Sequence, residues 1–209
     1  MRNLHSLVGA AAGLAIFVGS SGCYSPKPMP RFLPEQMSYS TGDRELKVHV
    51  EPIDTKPENE MIFGENVNGK GFAPFVFVFD NRAGERIRIP RGGIEFINGD
   101  CSWVQVSGAD VARGYESRGK IATTATFGWM KPIVMASAIN NQAKREGDYD
   151  RKVMDSQVYV AAGSSVQGLI VYKPRKKDGN VDERMNSGRF IIPYYAGEER
   201  RETTLQLGK

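Results

Sequence analysis

The chain has 209 residues, 28 Lys and Arg against 24 Asp and Glu for a formal charge of +4, and 40% hydrophobic residues. That is room for one domain with a real core; a basic excess so mild and so interspersed argues against nucleic acid, which calls for a clustered basic face. Two His and two Cys leave too few ligands for a zinc site and too few bases for a Ser/His/Asp or Cys/His arrangement, so no enzyme activity, metal or cofactor is expected.

Met1, Arg2 and Asn3 open the chain, and Leu4 to Gly22 then contains no acid and no further Lys or Arg. A positive start, an apolar core at Leu7 to Val18 and a small-residue exit are the three regions of a secretory signal. The core falls well short of the roughly 20 apolar residues that cross a bilayer as a helix, and Gly9, Gly13 and Gly19 weaken it further.

At the end of this run Ser20, Ser21, Gly22 and Cys23 resemble the lipobox of bacterial lipoproteins. The family usually has Leu three residues before the cysteine, where this chain has Ser20. The resemblance implies residues 1–22 as a cleaved signal peptide, diacylglycerol on the Cys23 sulfur, and acylation of the new amine by a fatty acid such as palmitate. Each buried methylene is worth about 0.8 kcal/mol, so two or three chains hold where one would leak. Tyr24 follows the cysteine, where the family's inner-membrane retention signal has Asp, which implies an outer-membrane anchor facing the periplasm. A plain secreted protein is the alternative.

Pro26, Pro28, Pro30 and Pro34 crowd the stretch from Tyr24 to Ser40. Alternating proline favours extended polyproline II, so residues 23–45 are expected to be a Pro-rich tether and 46–209 the folded domain. If Cys23 carries lipid, Cys101 is alone and reads as a small buried hydrophobe.

From Leu46 the apolar pattern has period two. Leu46, Val48 and Val50 face one way and Lys47, His49 and Glu51 the other, the mark of a half-buried strand. Phe75, Phe77 and Phe79 alternate with Val76 and Val78, so both faces of that strand are apolar and it is expected at the centre. DNRAG, Asp80 to Gly84, is a turn by composition. Ile87 and Ile89 belong to the next strand, Gly92 and Gly93 break it, and Ile94 to Ile97 and Ser102 to Ser107 follow. Gln157 to Ala161, Val166 to Tyr172, Arg189 to Tyr195 and Glu202 to Leu207 also read as strands, with Lys173 to Ser187 a solvated, charged hairpin loop. The expected fold is mainly β, an antiparallel immunoglobulin-like β-sandwich.

Residues 108–156 depart from this pattern, since a structureless connection of that length is foreign to a compact domain. Pro132 suits the first turn of a helix running to about Glu146, with Gly147 as its stop and Asp148 capping a short successor. Ile133, Val134, Ala136, Ala138, Ile139 and Ala143 give it a broad apolar face. This helical insertion is expected to cover an edge or end of the sandwich. The sharper alternative is a membrane- or partner-facing hairpin with Phe127, Trp129 and Met130 in an interface and Lys131 at the headgroups.

Gly64 to Gly71, GENVNGKG, nearly spells a P-loop, but Gly71 replaces the hydroxyl residue and a strand follows where the phosphate-binding helix is needed. Asp178, Asn180 and Asp182 mimic the first ligands of a calcium loop, which Glu183 and Arg189 then break. Glu58 with Glu60, and Glu198 with Glu199, are carboxylate pairs in polar, solvated segments.

KVHVEPIDT, MIFG, GFAPFVFVFDN and SSVQGLIVY together resemble a loosely defined set of uncharacterised bacterial lipoproteins with a sandwich domain carrying such an insertion. The resemblance spans Leu46 to Tyr172 and implies fold and surface location, with no ligand. The expected role is that of a membrane-anchored envelope lipoprotein, non-enzymatic, structural or binding a protein partner or peptidoglycan. The alternative is a periplasmic small-ligand or glycan-binding module with Trp103, Trp129 or Tyr115 as stacking platforms.

Overall fold

The computed structural model describes residues 24–99, 101–114, 131–175 and 181–208. Among them the fold is mainly β, with every pairing between named strands antiparallel, as a sandwich requires. Sheet A runs β1 (Tyr39–Gly42), β2 (Leu46–Pro52), β3 (Ala73–Asn81), β8 (Ser165–Pro174) and β6 (Cys101–Val106). Strand β6 then bends into the second layer. Its residues from Trp103 to Val106 pair with β8, while Cys101 and Ser102 pair with β5 (Glu95–Asn98).

Sheet B is built around β9 (Gly188–Ala196), which pairs along its whole length with β10 (Glu199–Leu207). Along its other side lie β5 and then β4 (Ile87–Pro90), and β7 (Gln157–Val160) flanks β4. A 3-10 turn at Arg91–Gly93 separates β4 from β5. Gly93 is needed there, because a Cβ would lie 2.9 Å from the Pro193 ring on β9. Opposite β6 the sheet edges approach, and the Thr41 hydroxyl donates to the Thr204 carbonyl at 2.9 Å.

The inter-sheet core follows the period-two reading. Leu46, Val48 and Val50 are fully buried, as are Phe75, Phe77, Phe79, Ile87 and Ile89. Phe190 sits at its centre, edge-on to Phe75 at 4.9 Å between ring centroids and stacked on Phe96 at 4.7 Å, geometries in which the ring quadrupoles attract. From β6, Trp103 enters this core, 9% exposed.

A second apolar cluster lies on the outer side of sheet A. Val76, Leu169 and Val171 point there, and α1 (Lys56–Phe63), α2 (Gly108–Arg113) and α3 (Lys131–Lys152) cover them with Ile62, Phe63, Val111, Ala112 and Tyr149, joined by Val153 just past the end of α3. The insertion therefore covers a sheet face and not an edge or end. Helix α1 was not anticipated. Thr55 caps it in a complete capping box with Glu58, and Gly64 ends it in the left-handed conformation at φ 77°.

Three sequence expectations change. Helix α3 does not stop at Gly147 but continues to Lys152, because Asp148, Tyr149 and Lys152 all pack inward from this last stretch. That burial outweighs the roughly 1 kcal/mol that glycine costs inside a helix. Ile139, assigned to the apolar face, is instead 66% exposed. The Lys173 to Ser187 segment is not a hairpin loop, since β8 and β9 are not paired and β6 and β5 lie between them; within it α4 (Val181–Met185) buries Val181 and Met185.

Gly108 opens α2 where it crosses α3, and a Cβ there would lie 2.4 Å from the main chain of Tyr149 and Asp150. Backbone cannot swing aside as a side chain can, so Gly108→Ala is expected to lower stability by about 1–3 kcal/mol, read as a lower urea midpoint with an unchanged slope.

Candidate functional site: the seat of the N-terminal segment

The stretch expected to be a free tether lies along the domain. Pro26, Pro28 and Pro30 suit an extended run and Pro34 opens a 3-10 turn at Pro34–Gln36; Tyr24, Met29 and Phe32 supply apolar side chains that pack on the outer cluster of sheet A, as does Met37 beyond Pro34. Gln167 on β8 grips the backbone twice. Its amide donates to the Pro30 carbonyl at 2.7 Å and its carbonyl accepts from the Phe32 N–H at 2.8 Å. Met29, Phe32, Val78 and Gln167 line a cleft of about 470 Å³ beside this contact. The segment ends by pairing β1 with β2, so the folded unit begins before Leu46.

The tightest contact is at Tyr24. Its N–H donates to the Asn141 side chain at 3.3 Å, and its hydroxyl donates to Asp148 Oδ2 at 2.5 Å. The same carboxylate oxygen takes the Lys152 ammonium at 2.6 Å, and Lys152 also donates to the Ile62 carbonyl at 2.7 Å. Tyr149 donates to the Phe63 carbonyl at 2.9 Å, which with Lys152 holds the orphan carbonyls at the end of α1. Arg145 lies over the Tyr24 ring at 5.1 Å and pairs with Glu65 at 2.5 Å.

Burial, then the hydrogen bond to Asp148, pushes the Tyr24 phenol well above its ordinary range, and burial does the same to Tyr149. Both remain protonated donors at neutral pH. Burial pulls Lys152 down, while the bond to Asp148 draws it partly back. These groups hold one another and join three segments of the chain, so the cluster acts as a clamp.

His49 departs from its expected surface position. It does point away from the inter-sheet core, but it is 5% exposed, and its Nδ1 has no hydrogen-bond partner among the described residues. Burial, then Lys47, holds its pKa below 6.5, with the Pro34 carbonyl a lesser opposing influence.

Cys23, Tyr115, Phe127, Trp129 and Met130 lie outside the described residues, and Lys131 is the first residue of α3. Trp103 is 9% exposed. It packs on Phe96 at 5.1 Å between centroids, at the wall of a cavity of about 400 Å³ shared with Ile94, Gln105 and Tyr172. Gly64 to Gly71 forms the end of α1 and a 3-10 turn ahead of β3. Glu58 serves its capping box, and Glu199 is held by Arg201 at 2.8 Å. Asp178 and Asn180 are outside the described residues, and Asp182 lies in α4.

Among the described residues no group of three or more His, Cys, Asp or Glu is placed to hold a metal, and no helix is long and apolar enough to cross a membrane. Comparison with protein families and with curated proteins finds no match to this chain.

Lys152→Ala leaves the Asp148 carboxylate buried without its ammonium. Removal of one partner of a buried pair costs about 3–5 kcal/mol, measurable by chemical denaturation. His49 yields a pH dependence. Its folded pKa lies below the unfolded value of 6.5, so the unfolded state takes up the proton first as pH falls. The stability is fully present above 6.5 and is lost downward through the folded pKa. His49→Leu is expected to flatten the fall in urea midpoint between about pH 7 and 5.

Proposed function

We propose that this chain is a lipid-anchored protein of the bacterial cell envelope, held on the periplasmic side of the outer membrane through Cys23, with a non-enzymatic structural or protein-binding role. The observation that carries the reading is the seat of Tyr24. A residue directly after an acylated cysteine normally begins a tether, yet here it is bound at its N–H by Asn141 and at its hydroxyl by Asp148. Such a seat joins the folded body to whatever Cys23 carries, and it accounts for side chains such as Met29 and Phe32 in a segment otherwise composed like a linker. The small-ligand or glycan alternative has less support, because the cavity wall it would use is formed by core side chains, Trp103 and Tyr172. A protein partner in the envelope is the expected counterpart.

Cys23→Ser tests the anchor. The variant is expected to leave the membrane fraction and to lose the mass of the acyl groups, while the original chain sediments with membranes. Unchanged sedimentation at unchanged mass would overturn the reading.

A further inference from the structure

We propose that the helical layer is the surface this protein lays against the bilayer, so that sheet B faces away from it; the inference rests on lipid at Cys23. Two placements compete. With residues 24–37 released, fourteen residues at about 3.3 Å each would let the domain stand roughly 45 Å off the surface. With that stretch seated, no such reach exists, because the Cα of Cys23 is about 3.8 Å from that of Tyr24.

The seat is held at three successive levels. Asn141 and Asp148 of α3 bind Tyr24 at 3.3 and 2.5 Å. Lys27 donates to the Glu60 carbonyl of α1 at 2.9 Å. Gln167 of β8 then grips Pro30 and Phe32 at 2.7 and 2.8 Å. Each contact joins residues far apart in sequence, and Tyr24 adds an edge-on packing with Tyr149 at 6.1 Å between rings. Releasing the anchor means breaking all of these together.

The chain therefore leaves the domain at the Asn141 level of α3. Ile139, two residues away, is 66% exposed; a single apolar side chain in water is ordinary, but at this level it meets the headgroup and upper acyl region, where it is favoured. Sheet B lies on the other side of sheet A. Helix-to-sheet and sheet-to-sheet spacings of about 10 Å each put its outer face about 20 Å from the α3 axis, beyond the headgroups when α3 lies on them. Arg189 of β9, whose neighbour Phe190 points into the core, is exposed on that far face.

The test uses the intact lipidated chain in a Cys101→Ser background, with a bimane label at Ile139→Cys or at Arg189→Cys. It is bound to phosphatidylethanolamine and phosphatidylglycerol vesicles that contain a headgroup-nitroxide lipid. The expected result is several-fold stronger quenching at position 139 than at 189. The double variant Tyr24→Ala/Gln167→Ala should bring 139 down to the level of 189 while the protein still floats with the vesicles. Flotation with equal quenching at the two positions, or stronger quenching at 189, overturns the orientation and leaves the lipid anchor standing. Failure to float overturns the anchor itself and this inference with it.

Discussion

Val76, Val78, Leu169 and Val171 point away from the inter-sheet core yet are as buried as Phe75 or Phe77. Sheet A is thus apolar on both faces, and a two-layer sandwich would leave one of them in water. At about 1.5–3 kcal/mol for each fully buried side chain, those four residues alone represent a large fraction of the stability of an ordinary domain. A third layer is the physical consequence. Helices α1, α2 and α3 supply most of it, and the N-terminal segment supplies the part over Val78 and Gln167.

A layer assembled from separate stretches has to be fixed in register, and apolar contacts alone are poor at that because they lack direction. Here the fixing is done by polar groups. Asp148 binds Lys152 on its own helix and Tyr24 from the start of the chain, and Lys152 and Tyr149 reach the carbonyls of Ile62 and Phe63 at the end of α1. One carboxylate thereby sets the mutual placement of three segments. The ion pair costs desolvation to form; the hydrogen bonds to both neighbours are what compensate the remaining donors.

Most strands were legible because a single buried face imposes alternation, as in β2, β4, β7, β9 and β10, while β3 and β8 read instead as apolar runs buried on both faces. Helix α1 was missed although its signals are there, in the Thr55 to Glu58 spacing with Pro57 inside and Gly64 beyond, because MIF at its end reads equally well as part of a strand. The end of α3 was not legible. Gly147 is a stop signal by propensity, and what overrides it is the partner set of Asp148 and Tyr149, drawn from residues 24, 62 and 63. The seat of the N-terminal segment was hidden for the same reason. Its prolines announce extension, which is correct, but extension says nothing of whether Tyr24, Met29 and Phe32 meet a surface. His49 illustrates the limit of alternation: its face was read correctly and its burial was not, because the cover comes from Pro34 and its neighbours.

A segment made early in synthesis is among the last to find its place. Tyr24 waits for Asn141 and Asp148, 117 and 124 residues later, and Phe32 and Pro30 wait for Gln167 across 135 and 137 residues. Closing such distant contacts is the slow part of folding. Until β8 has been made, the outer face of sheet A has no complete cover, so a nascent chain stays uncommitted through most of its synthesis and is open to whatever handles unfolded polypeptide in the meantime.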